Sequence, residues 1–500
     1  MKMKMILSLP LVLAYIGLSL AQPKDYWYDL AKLSIENAKK LENLNTNVAK
    51  NIVFVLGDGM SIATVSAARI LKGQQNLEPG EEGYLSWETF PHASLSKTYN
   101  TDHQVSDSAG TATAYLSGAK TKRGLIGVDD GGVRGDCASS VGNEIGSILR
   151  MARNAGKSVG FVTTARITHA TPSALYAHVP ERNWEADSDI PASESACRDI
   201  ALQFLENDDI QVAMGGGREN FMLNTERDPE TNRLGKREDG RDLIKEWVAA
   251  KSQLGTAKYV WEKSEFDAID PPNVDYLLGL FSDSHMEYDI HPYFAGAPSL
   301  AEMTQKAIQI LEKNPNGFFL LVEAGRIDHG HHAGAATLAL TDTIAMDAAV
   351  TMAKSMTNDQ DTLTIVTADH SHTMTFGGYP SRGNPILGLA DDYGLPDLGS
   401  DNLPYTTLIY ANGPGGVQTR LTYRNTGKRP DVTNEDTSSD RYQQQALVPL
   451  ESETHAGDDV AIWADGPMAH LFHSVHEQHY IMHVMAYAAC LDAGAPHCSP

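Results

Sequence analysis

Apolar residues recur along this chain in two rhythms. Four short runs, Asn51–Leu56, Ser158–Thr163, Gly317–Val322 and Thr362–Thr367, are rich in β-branched or aromatic residues without strict alternation. That is the pattern of strands covered on both faces. Between them, helical periodicity marks Gly142–Ala155, Leu300–Lys313 and Ala335–Met356. Strands and helices alternating over such a length predict an open α/β sheet. From Gly377 to about Thr454 the periodicity weakens and Gly, Pro, Asn, Asp and Tyr dominate. This predicts an irregular insertion, about 378–453, inside one domain spanning 22–500. Tyr26–Leu44 reads as a helical arm, and the triple glycine Gly215–Gly217 reads as a turn.

The first residues set the compartment. Lys2 and Lys4 precede an apolar run, Ile6–Leu20, that ends in Ser19-Leu20-Ala21, so residues 1–21 are expected to be a signal peptide. No later stretch is apolar and long enough to span a bilayer, and the chain's end carries no hydrophobic tail for a lipid anchor. A secreted, extracellular protein is expected. Its four cysteines then predict two disulfides: Cys490 with Cys498, close in sequence, and Cys137 with Cys197.

Charge narrows the partners. Lys+Arg total 40 against Asp+Glu 64, a formal net charge of −24, which disfavours nucleic acid and anionic lipid surfaces. An anionic substrate stays open, because bound cations reverse the field inside a cleft.

The polar residues of interest follow the strands, where open α/β sheets place their ligand sites. The first strand delivers Asp58-Gly59. Gly317–Val322 delivers Glu323, then Arg326-Ile327-Asp328-His329-Gly330-His331-His332. Thr362–Ala368 delivers Asp369-His370-Ser371-His372, and a further segment supplies His455 in Glu453-Thr454-His455-Ala456-Gly457. Asp328 and His332, four apart, share one face of a helical turn. Carboxylates with neutral imidazoles suit zinc. Asp107-Ser108-Ala109-Gly110 opens a helix of small residues, where free N–H groups favour a phosphate; a plain capping role for Ser108 is the alternative. No histidine neighbours Ser108 in sequence, so a metal ion would have to activate it. Arg182 is a candidate bidentate clamp for a tetrahedral oxyanion.

Together these segments resemble the animal alkaline phosphatases, from about residue 26 to the C-terminus. The resemblance implies a three-layer α/β/α sandwich with a large mostly parallel central sheet, an irregular "crown" at the insertion, and a homodimer. Carried over by position, it implies one zinc on Asp328, His332 and His455. A second zinc falls on Asp58, Asp369 and His370 with Ser108, and a magnesium on Asp58, Thr171 and Glu323. His169 matches a histidine near the magnesium and phosphate, while His329, His372 and Asp107 stand one layer behind the ligands. A peripheral calcium is not expected to bind firmly. Glu230 matches that site, but Ser282 and Ala297 stand where the family has acids, although Asp283 or Asp289 could substitute.

The expected function is hydrolysis of phosphate monoesters through a phosphoserine at Ser108, with Arg182 and His169 assisting. A sulfatase would need a Cys/Ser-x-Pro-x-Arg context that neither Cys137 nor Cys197 has. A diesterase would not keep the Arg182 clamp, and a catalytically silent, metal-binding extracellular protein would have no use for Ser108.

Overall fold

Residue 51 opens the strand on which the rest of the sheet is arranged. In the computed structural model, which describes residues 24–41, 43–207, 210–291, 296–491 and 496–498, ten strands form one sheet. They are β1 (Asn51–Gly57), β2 (His92–Lys97), β3 (Ser158–Arg166), β4 (Val212–Gly216), β5 (Ala257–Val260), β6 (Tyr276–Leu280), β7 (Phe318–Ala324), β8 (Thr362–Ala368), β9 (Val460–Asp465) and β10 (Val475–Glu477). Their spatial order is β10-β2-β9-β8-β1-β7-β3-β4-β6-β5. Every pairing is parallel except those of β9, which runs against both β2 and β8.

The alternation of side chains across β1 divides the core into two layers. Ile52, Phe54 and Leu56 share a buried cluster with Tyr115, Ile148 and Phe204 on one side, and Val53 and Val55 join Met303, Leu311 and Met346 on the other. Helices therefore cover both faces, and the three-layer α/β/α architecture follows from strands that are apolar on both sides. Register then aligns the strand ends. Gly57 pairs with Ala324 and with Ala368, and Thr163 pairs with Glu323. The residues just after β1 and β8, and the last turn of β7, thus sit side by side at one edge.

The helices match the periodicity with one correction. Leu300–Leu311 starts at a capping box made by Ser299 and Glu302, and Ala336–Met356 runs for 21 residues. The expected helix 142–155 shrinks to Ile148–Asn154. Gly142 adopts a left-handed φ of 84°, and Glu144 bridges to Val128, so the segment before Ser147 is pinned as an extended bridge. The glycine triple is also not simply a turn. Gly215 and Gly216 complete β4, where a Cβ on Gly216 would come within 2.0 Å of the Ser284 carbonyl.

The insertion is more regular than its composition suggests. Met374–Phe376, Leu408–Gly413 and Ala446–Pro449 build a three-stranded sheet, and Pro414–Thr426 is a helix. That helix has no continuous apolar stripe to announce it. It is placed instead by close backbone approach, since a Cβ on Gly415 would meet the Gln444 carbonyl at 1.8 Å.

The chain divides into two units, residues 1–43 and 44–500. In the first, Lys24–Lys40 is a helix carrying surface ion pairs Lys32–Asp29 and Lys39–Glu36. The expected signal peptide lies outside the described residues. Both expected disulfides form, Cys137–Cys197 and Cys490–Cys498. Among the described residues, no helix is long and apolar enough to cross a membrane.

Candidate active site

The aligned strand ends gather carboxylates buried from solvent. Asp58, Glu323 and Asp369 are fully buried, and Asp328 almost so. Among the described residues, neither oxygen of Asp58 has a hydrogen-bond partner, nor does Glu323 Oε1. Glu323 Oε2 accepts from Thr163, its neighbour across the β3–β7 register. Gly59 ties two strand ends together: its N–H donates to Asp369 Oδ1 at 2.9 Å, and a Cβ there would lie 2.5 Å from the His372 ring.

Around these carboxylates the fold brings together the residues expected as ligands. His332 Nε2 and His455 Nε2 lie 3.4 and 3.3 Å from Asp328 Oδ1 and 3.1 Å from each other. Those separations match the edge of about 3.3 Å between ligands at ~2.05 Å from one tetrahedral ion. Both rings donate Nδ1–H to a backbone carbonyl, His332 to Glu453 and His455 to Ser106. That fixes the tautomer with the Nε2 lone pair facing Asp328, as metal-ligating histidines require. In the second set, His370 Nε2 lies 3.1 Å from Asp369 Oδ2, 3.6 Å from Asp58 Oδ1 and 3.2 Å from Ser108 Oγ. In the third, Asp58, Glu323 and His169 converge, with buried Thr171 beside Glu323.

The electrostatics carry the same message. Burial, then the neighbouring Asp369, Asp328 and Glu323, push Asp58 well above the usual carboxylate range, and burial raises Glu323 and Asp369 too. Burial would also raise Asp328, but His332, His372 and His455 around it hold it well below. Buried carboxylates with orphaned oxygens, interleaved with imidazoles in the ligating tautomer, fit divalent cations.

Ser108 is the first residue of the Ser108–Ser117 helix and is not its cap. Asp107 takes that role, accepting from Gly110 N–H, and it also accepts from Gly124 N–H. Arg182 donates Nη1 to Asp107 Oδ2 at 3.1 Å and Nη2 to His169 Nε2 at 3.0 Å. Ser108, Arg182, His169, His332 and His455 all line one open cavity of about 600 Å³. His370, far from Ser108 in sequence, is brought to within 3.2 Å of its Oγ by the fold. Burial and His455 push its imidazole well below the ordinary range, so it is a poor base and a good neutral donor.

The contacts of the residues behind them appear only in three dimensions. His372 is clamped between Asp328 Oδ1 at 2.7 Å and Glu453 Oε2 at 2.5 Å. Burial would lower its pKa, but those carboxylates push it up to about 10. His331 stacks on His372 and bridges Thr64 and Tyr410. Glu453 was legible only as a motif letter. At the peripheral position, Glu230 and Asp228 are paired with buried Arg218, Asp283 is held by Thr231, and Asp289 sits elsewhere, its N–H donating to Asp342.

A serine and an arginine opening on such ligand sets place the chain among the metal-dependent phosphatases. The comparisons carry this to a family. A family model described as alkaline phosphatase matches residues 49–491. The tissue-nonspecific alkaline phosphatase of Homo sapiens is 51% identical over 483 residues, 95% of this chain and 90% of that protein. The alkaline phosphatase of Gadus morhua is 50% identical over 477 residues, 94% and 98%. The Thermus thermophilus alkaline phosphatase structure aligns over 91% of this chain and 95% of that one, at TM-score 0.62 and 25% identity. The chain belongs to the alkaline phosphatase family.

The raised carboxylates set a pH signature for the metal-free protein. Acids whose pKa is higher folded than unfolded contribute stability at low pH that is lost as pH rises, because the folded state binds more protons. Chelation should therefore lower the melting temperature, and the gap from untreated protein should widen from about pH 5 to about pH 9. Calorimetry with and without chelator measures this; a gap that narrows over that range contradicts it.

Proposed function

We propose that the protein is a secreted alkaline phosphatase that hydrolyses phosphate monoesters through a covalent phosphoserine at Ser108. The observation that carries this reading is Ser108 Oγ at a helix N-terminus, 3.2 Å from His370 Nε2, on the cavity that Arg182 also lines. Zinc on Asp328, His332 and His455, zinc on Asp58, Asp369 and His370 with Ser108, and magnesium on Asp58, Thr171 and Glu323 would supply Lewis acidity, favouring the serine alkoxide and neutralising phosphate charge.

The chain's own groups do the rest. Arg182 binds two phosphate oxygens, held in position by Asp107, which carries negative charge because Arg182 and two backbone N–H groups outweigh its burial. His169 braces the other guanidinium arm. The free N–H groups at the start of the Ser108 helix and its dipole favour the phosphoryl group. Ser108 Oγ releases its proton to solvent and forms a bond to phosphorus as the ester P–O bond breaks; the alcohol leaves with a proton from solvent. Water then attacks the phosphoserine, returning the Ser108 hydroxyl and releasing phosphate. A silent metal-binding protein would not need Arg182 and Ser108 built to this pattern. Secretion is supported by the leader-like N-terminus and by two disulfides.

Ser108→Ala should retain its metals, form no phosphoserine, and lose turnover by on the order of 10³-fold or more. Rapid acid quench with labelled phosphate ester reads the intermediate, and label on another residue would refute the assignment. The chain is also proposed to be a homodimer. Tyr379, Tyr393, Leu395 and Leu447 on the insertion are 71–96% exposed, large apolar side chains that a second copy would cover. Light scattering should give twice the chain mass; a stable, active monomer would overturn this.

A further inference from the structure

Three imidazoles from three separate elements meet beside the Asp58–Glu323 cluster: His169 before the short Ala170–Ser173 helix, His285 in the loop after β6, and His329 on the Arg326–His332 helix. Their ring centroids lie 4.2 Å apart for His285 and His329, 5.3 Å for His169 and His285, and 5.7 Å for His169 and His329. One nitrogen from each lies within 4.8 Å of the other two. The phosphatase reading uses His169 and leaves the trio as a group unexplained.

Each ring faces an arginine N–H. Arg182 Nη2 donates to His169 Nε2 at 3.0 Å, Arg326 Nη1 to His329 Nδ1 at 2.9 Å, and the Arg166 backbone N–H to His285 Nδ1 at 3.3 Å. A nitrogen that accepts such a bond is unprotonated, so all three rings are neutral, the form that ligates metals. Two further contacts are unsettled. His169 Nδ1 is buried with no partner among the described residues. Arg166 Nη1 lies 2.5 Å from His285 Nε2 while Nδ1 already accepts, yet a neutral ring has only one acceptor nitrogen. His285 thus faces donors on both sides and loses little by turning toward another acceptor of its lone pair.

We infer that His169, His285 and His329 form an additional, weak zinc site, and that filling it withdraws His169 from Arg182. Three imidazole nitrogens with an open fourth position are a zinc ligand set. The site is weak for two reasons. Its ligands carry no charge among three arginines, and each neutral ring has one lone pair, which zinc must take from an arginine. The competition links the ion to catalysis: Arg182 keeps Asp107 but loses its brace on the other arm. Excess zinc should then raise KM for a phosphate monoester. That consequence rests on Arg182 being the phosphate clamp; the binding itself does not.

The test uses the zinc- and magnesium-loaded enzyme with magnesium in excess. Equilibrium dialysis against rising free zinc should give one more bound zinc per chain in the wild type than in His285→Ala or His285→Asn. The rise in KM should disappear in both variants. Zinc-edge anomalous diffraction from wild-type crystals soaked in zinc needs no variant and should show a peak between the three rings. No peak there, or equal zinc binding by wild type and variants, overturns the site. An extra zinc that leaves KM unchanged keeps the site but removes the link to Arg182, a failure distinguishable from failure of the three tight metals.

Discussion

The structure depends on negative charge held away from water. Four carboxylates, Asp58, Glu323, Asp328 and Asp369, lie buried at one edge of the sheet. An isolated carboxylate in such surroundings costs several kcal/mol or protonates. Of these four, Asp328 is the one held below the ordinary range, by its ring of imidazoles. Asp58 and Glu323 carry raised pKa values and orphaned oxygens, and Asp369 a raised pKa, features that fit bound cations. The acidic surplus of the whole chain has its sharpest expression here.

Sheet register is what makes that concentration possible. β1 lies between β7 and β8, and their paired ends bring Asp58, Glu323 and Asp369 together without any loop having to search for them. Gly59 lets the β1 end pass against His372, and backbone carbonyls choose the tautomers of His332 and His455. Across the cavity, Asp107 caps a helix and holds Arg182 with the same carboxylate. Rigid strands and one helix start, more than mobile loops, fix the reacting groups.

Much of this was legible in sequence because the chemistry sits at strand ends. β1, β3, β7 and β8 were visible as apolar runs, and the residues at the ends of three of them are the proposed ligands. What stayed hidden depends on distant pairings. The salt-bridged His372 joins Asp328 to Glu453, which lies 81 residues beyond the histidine, and no local pattern marks Glu453 as a positioning group. His285 is brought beside His169 and His329 only by folding. The insertion's sheet escaped because its strands are short and half-exposed. The 142–155 segment looked helical throughout because its apolar spacing continues past a glycine whose backbone turns left-handed.

The account is tested most directly by counting metals. Elemental analysis of purified, active protein after gel filtration in metal-free buffer should find two zinc ions and one magnesium per chain. Full activity with fewer than two zincs per chain would contradict it, because the buried carboxylates would then have to be stabilised in some other way.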